Sequence, residues 1–349
     1  MDSFPCEKMR RFLWWTLKAV VTLGILLYLF SFIPAEKVFR ALSEAHAGFF
    51  ATAVILQFIM RFVGAAQMHV FTERQKMGIG TAEIAKINFV SQFYGIFLPG
   101  ELTASIIKWY KFSAKDGKRA QAAASILFSR LVNVISLAFI GIAAFFIERP
   151  AVSQSVRITL ISAALLFIFI YTVIAGRRLD CIIERVVRPA SINLLPAFIN
   201  EKLAKAWKSL KLFRKLPPHS IHGVFALSII YNILGTISAY LIMQSIGVDM
   251  TLIAVAWIRA AAIFIQMVPL TISGLGVREG ALVFFLGTYG VSNTDAMAVS
   301  LLIFSVILSI SLAGGVIELK EFYSLKGAPK PLRPPKQKGR PGREEGCCN

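Results

Sequence analysis

Apolar runs long enough to cross a bilayer recur along this chain, and they constrain its fold more than any other feature. A helix of about 20 apolar residues spans the roughly 30 Å hydrocarbon layer. No water at that depth satisfies a bare peptide group, so each run must close its own hydrogen bonds. The reading is an all-α polytopic membrane protein with about six full transmembrane helices. They are placed near residues 14–33, 48–71, 121–147, 158–175, 221–243 and 296–317. Composition agrees, since 56% hydrophobic residues and a mean hydropathy of +0.66 exclude an ordinary soluble domain and a disordered chain alike. The first run is too long for a signal sequence and lacks a clear cleavage site, so it is expected to stay as a membrane helix.

Two stretches break this regularity. Residues 269–280 read PLTISGLGVREG, placing Pro269, Gly274, Gly276, Gly280 and the charged pair Arg278 and Glu279 between apolar flanks. Proline has no N–H to donate and glycine is a poor helix former, so no continuous helix is expected across 269–276. The apolar region 84–110 is interrupted in a similar way by FLPGE, which contains Pro99, Gly100 and Glu101. Its arms carry Lys86, Asn88, Gln92 and Lys108. Neither arm spans a bilayer alone, so two short helices meeting at the break form either a re-entrant hairpin or one discontinuous span, and the charge distribution favours re-entrant hairpins at both breaks. Irregular backbone at membrane depth has to be buried in protein or line a cavity.

The net charge of +19 follows the spans. Basic residues between apolar runs suit a lipid surface, and no nucleic-acid partner is expected. Residues 177–220 hold ten Lys or Arg against three acids. Lys202, Lys205, Lys208 and Lys211 recur there with Leu203, Trp207 and Leu210 between them, which predicts an amphipathic helix on anionic lipid. With both breaks re-entrant, four basic segments share one side: Lys8 to Arg11, 108–119, 177–220 and the tail. The rule that positive loops stay inside then puts these segments and both termini in the cytoplasm, in a cytoplasmic membrane. One membrane domain, 1–319, follows, with a first half near 47–147 and a second near 221–319. The Pro-, Gly-, Lys- and Arg-rich tail 320–349 is expected to be disordered. The halves run in opposite directions as an inverted repeat. Interrupted segments in matching places of two halves point to a transporter's substrate site.

A helix restarting after a glycine-rich break offers free N–H groups and a dipole that favour an anion. Gly274 and Gly276 expose those groups, and Arg278 sits in the first turn. Arg61, Arg130 and Arg259 lie inside neighbouring apolar elements and can converge there. Arginine's planar fork suits phosphate oxygens. Glu101 and Glu279 can steer those forks. The expected ligand is the phosphate of a lipid whose tails stay in the membrane. The plainer alternatives are a self-neutralising Arg278–Glu279 pair and glycines that only allow close packing. Four scattered histidines and the cysteines Cys6, Cys181, Cys347 and Cys348 form no metal pattern, and no cofactor is expected. There is no P-loop, GxSxG or dinucleotide fingerprint, so no catalytic residue is assigned. Lipid translocation is the first reading. An enzyme or accessory subunit acting on a lipid-linked substrate is the alternative, and a second copy or a lipid synthase is the expected protein partner.

At these two breaks the sequence resembles the transmembrane domain of lysylphosphatidylglycerol synthase/flippase proteins, over roughly residues 11–319. Gln92, Leu98, Pro99, Gly100, Glu101 and Lys108 answer to that family's first motif, and Ser129, Arg130 and Leu131 to its following arginine segment. Pro269, Gly274, Gly276, Arg278, Glu279 and Gly280 answer to the second. Where the family commonly continues its first motif with Gly-Glu and an arginine, this chain has Glu101, Leu102 and Thr103, with a lysine only at Lys108. The resemblance implies translocation of a phospholipid or polyprenyl-phosphate lipid, or lipid-linked glycan metabolism. It does not imply aminoacyl transfer, for which the sequence beyond 319 shows no domain.

Overall fold

A computed structural model describes residues 43–97, 103–150, 153–155, 157–158, 161–162, 218–267 and 276–327. Among the described residues eight helices have defined bounds, in chain order: α1 (Ala47–Arg74), α2 (Thr81–Phe97), α3 (Thr103–Asp116), α4 (Arg119–Glu148), α5 (Pro218–Ser245), α6 (Leu252–Gln266), α7 (Val277–Gly287) and α8 (Asn293–Gly327). No strand occurs among the described residues. α1, α4, α5 and α8 are long and apolar enough to cross a membrane, and they match four of the six predicted spans. The predicted span 14–33, nearly all of 158–175, the basic segment up to residue 217 and the tail beyond Gly327 lie outside the described residues.

Two boundaries differ from the sequence reading. The basic stretch 108–119 is helical as far as Asp116, because Phe112 is fully buried and Lys115 pairs with Glu83. α8 continues past Lys320 to Gly327, and its Glu318 and Glu321 carboxylates accept from Lys111 of α3 at 2.5 and 3.5 Å.

The helices form two units of the same plan: span, helix pair, span. In the first, α2 and α3 fold back on each other. Glu83 near the start of α2 meets Lys115 near the end of α3, while Gly95 and Ala104 touch close to the turn. The open end of this pair lies where α1 finishes and α4 begins, since Lys118 bonds the carbonyl of Lys76. In the second unit α6 and α7 fold back likewise. Trp257 Nε1 donates to Tyr289 Oη at 2.8 Å just past α7, and Phe285 packs edge-on against the same indole. This pair opens at the other end of the bundle, beside the end of α4, where Thr251 Oγ1 donates to Glu148 at 2.9 Å.

α1 and α5 form the seam between units and run antiparallel. His46 N bonds Ser245 O at 2.7 Å, Ser238 Oγ bonds Ala53 O at 3.2 Å and Gln67 Nε2 bonds Ser228 Oγ at 2.6 Å. The partner number falls as the α1 number rises, so one unit is turned over relative to the other. Packing obeys the same exchange: α4 lies on α6 as α8 lies on α2. The closest approaches are equivalent. Gly141 of α4 lets Ala260 of α6 in, and Gly314 of α8 lets the Phe89 backbone of α2 in. Each glycine sits about six turns into its span, and each partner about two turns into its short helix. A Cβ at either glycine would overlap its neighbour, which is how small residues bring membrane helices together. Around the second helix pair, Trp257, Ile258, Leu286 and Ile310 form the deepest part of the apolar core.

Candidate functional site: a cationic double cavity

Four helices from both units each bring one cation to the wall of a cavity: Arg61 from α1, Lys108 from α3, Arg130 from α4 and Arg259 from α6, the first two and the last partly buried and Arg130 exposed. Their placement follows from the fold. Arg259 lies two turns past Thr251, whose hydroxyl caps α6 by accepting from Ala254 N at 3.0 Å. Lys108 sits on the inner side of the first helix pair, close enough to Arg61 and Arg130 to feel the charge of both. They border two cavities. The smaller, about 190 Å³, has Arg61, Arg259, Arg278, Gln57 and Gln266 in its wall. The larger, about 440 Å³, has Lys108, Arg130, Arg259, Gln92, Asn133 and Asn232. Arg259 and Ile263 belong to both walls, so the cavities adjoin at one guanidinium.

No carboxylate lines either cavity among the described residues. Arg61 Nε is buried without a hydrogen-bond partner. Arg259 Nη1 donates to the Asn232 carbonyl at 3.3 Å. A single arginine at the centre of a membrane helix costs roughly 2.5–3.5 kcal/mol on insertion scales. Arg61 and Arg259, partly buried beside Lys108 and the exposed Arg130 and with no carboxylate in the walls among the described residues, are a strong reason to look for an anionic ligand. The floor of the larger cavity is polar as well. Asn133 Nδ2 donates to Gln67 Oε1 at 3.1 Å, and Asn232 Nδ2 donates to Ser136 Oγ at 2.7 Å. Asn133 Oδ1 is left without a partner.

The Arg278–Glu279 unit is built differently. Gly276 caps α7 with φ 85°, a conformation glycine adopts without strain, and its N–H donates to Glu279 Oε2 at 2.6 Å. Arg278 Nη2 donates to Glu279 Oε1 at 2.5 Å and Nε to Ser300 Oγ of α8 at 3.1 Å. Ser300 in turn donates to Glu279 Oε1 at 3.0 Å, and the guanidinium lies 5.5 Å from the Phe304 ring centre. Arg278 thus borders the smaller cavity with its charge already met, whereas Arg61, Lys108, Arg130 and Arg259 have no carboxylate beside them in the cavity walls among the described residues.

Of the residues singled out from sequence, Arg61, Arg259 and Arg278 meet at the smaller cavity and Lys108, Arg130 and Arg259 at the larger. Gly276 is the cap of α7, and Glu279 turns toward that cap rather than into a cavity wall. Gly100, Glu101, Pro269 and Gly274 lie outside the described residues. The sequence reading missed Gln67, Asn232 and Ser300. It also missed Gly235, where a Cβ would overlap the Arg259 guanidinium. Amides inside apolar spans were the available signal for the first two. Ser300 and Gly235 become visible only when α8 and α5 are packed in place.

The geometry can be set beside known proteins. Residues 15–315 match the family model described as the lysylphosphatidylglycerol synthase TM region. A UPF0104 membrane protein of Pyrococcus horikoshii is 21% identical over 321 residues, covering 86% of this chain and 95% of its own. A second UPF0104 membrane protein, from Methanothermobacter thermautotrophicus, is 23% identical over 277 residues, covering 74% and 80%. With that match spanning most of its length, and with apolar helices of membrane length, the chain is an integral membrane protein that belongs to the family of the lysylphosphatidylglycerol synthase transmembrane region.

Proposed function

We propose that this protein moves a phosphate-bearing lipid between the two leaflets, passing the headgroup through the double cavity while the tails stay in the bilayer. The observation that carries the reading is the convergence of Arg61, Lys108, Arg130 and Arg259 on adjoining cavities with no carboxylate in their walls. Phosphate oxygens match the geometry of arginine forks, and a lipid delivers a phosphate without leaving the membrane. The inverted units support movement as well as binding. Their helix pairs open at opposite ends of the bundle, the arrangement from which alternating access is built. On this reading both pairs are re-entrant in the bilayer, and the end holding Lys118 and Arg119 faces the cytoplasm.

The test is leaflet exchange of tail-labelled anionic phospholipid in liposomes containing the purified chain. Exchange should exceed that of protein-free liposomes. Arg259→Gln should lower it by about 10- to 100-fold, the value of one or two charge-assisted hydrogen bonds. Exchange at the protein-free rate in wild-type liposomes would sink the proposal. A chemically altered lipid would move the protein to the enzyme reading.

A further inference from the structure

On the translocation reading, charge and shape narrow the lipid further. Four cations line the cavities without a carboxylate among the described residues, and arginine stays charged at any physiological pH. A zwitterionic headgroup brings no net charge to meet them. A single phosphodiester brings one. Either leaves most of the cluster uncompensated, which is costly for the partly buried Arg61, Lys108 and Arg259 and less so for the exposed Arg130.

The shape points the same way. Arg61 borders only the smaller cavity, Lys108 and Arg130 only the larger, and Arg259 both. A guanidinium has donors on more than one edge, so it can hold an oxygen on each side. Its position is fixed by close packing on Gly235 and by the bond to the Asn232 carbonyl. Arg278 adds no free charge to the smaller cavity, because Glu279 holds it.

We propose that the headgroup carries two phosphates, one in each cavity, bridged by Arg259. Arg61 holds the first, and Lys108 and Arg130 hold the second. Two kinds of lipid present this chemistry: a polyprenyl diphosphate, and a phospholipid with two phosphodiesters joined through glycerol, as in cardiolipin.

The full chain would be placed in phosphatidylcholine nanodiscs doped at equal molar level with one probe each: phosphatidylglycerol, a polyprenyl monophosphate, a polyprenyl diphosphate or cardiolipin. Mass spectrometry of the gently purified protein then measures which lipid is retained. At least one two-phosphate lipid should be retained tenfold or more over its one-phosphate counterpart, and which one identifies the source. Arg61→Gln and Arg130→Gln should each bring that preference to about parity while one-phosphate lipid is still retained. Neither variant should unfold at a lower temperature without lipid, because neither side chain has a described partner to lose. Parity in the wild type would overturn the two-phosphate inference and leave translocation of a phosphate lipid standing. Retention of no phosphate lipid above phosphatidylcholine would overturn both. Lowered unfolding temperatures with the preference intact would assign these arginines to the fold and overturn the inference as well.

Discussion

Arg278 and Arg61 are both arginines inside apolar helical sequence, yet their surroundings are opposite. Arg278 is 8% exposed and tied to Glu279, which is 2% exposed, whereas Arg61 Nε has no partner. Breaking a buried pair on one side costs about 3–5 kcal/mol, because the remaining charge stays unpaired. Arg278→Met should therefore lower the unfolding temperature strongly. The double variant Arg278→Met, Glu279→Gln should recover most of the loss, since glutamine still accepts from Gly276 N–H. Arg278→Lys should fall between, losing either the Glu279 or the Ser300 contact. Thermal unfolding in detergent measures all three, and a double variant no more stable than the single would show that the pair is not coupled. Lipid exchange adds a second reading. Recovered stability without recovered exchange would place Arg278 in contact with the lipid too. At this scale the sequence was legible as to which residues are unusual, because a charge in an apolar run stands out. It was not legible as to which charges are already met. Glu279 is adjacent to Arg278 in sequence, but the triangle they form is closed by Ser300, which comes from a different helix.

At the scale of elements, the short helices are held by contacts that glycine permits. Gly314 meets the Phe89 carbonyl and Gly141 meets Ala260 at equivalent places in the two units. Filling such a contact forces backbone apart, and overpacking of this kind typically costs 1–3 kcal/mol. Gly314→Val should be the more damaging of the two, because it meets backbone where Gly141→Val meets the methyl of an alanine. The prediction is a larger fall in unfolding temperature for Gly314→Val. Equal stability of both variants and wild type would contradict the close approach. Length, apolar content and Pro–Gly breaks made the four long helices and both short pairs readable in advance. The extension of α8 to Gly327 was hidden, because its last turns are polar and are held by Lys111 of α3 rather than by local pattern. The helicity of residues up to Asp116 was hidden for the same reason, since its anchor, Glu83, sits on α2.

For the whole molecule, the two ends of the bundle differ in charge. Arg74, Lys76, Lys115, Lys118 and Arg119 outnumber Glu73, Glu83 and Asp116 where the first helix pair opens, and Glu148, Asp249 and Asp295 outnumber Arg149 at the other end. The positive end should face the cytoplasm. In a chain whose native cysteines are replaced by serine, Lys118→Cys should resist an impermeant thiol reagent in intact cells, and Asp249→Cys should react. Reaction of Lys118→Cys from outside would reverse the orientation, and reaction of both from one side would break the inverted arrangement. The seam on which that arrangement rests has a further consequence, in time rather than in space. Gln67 and Ser228 are 161 residues apart. At typical rates of synthesis of 5–20 residues per second, about 8–30 s separate the emergence of one from the other. Ser129 and Asn133 of α4 can reach the Gln67 carbonyl oxygen early, but its amide N–H group waits for α5. The newborn first half therefore sits in the membrane with an unfinished face that includes Ala53, Gly64 and Gln67. During that interval this face lacks the cover that α5 later gives it, so truncation after α4 should leave a first half that is degraded faster than the full chain, as a pulse-chase measurement would show.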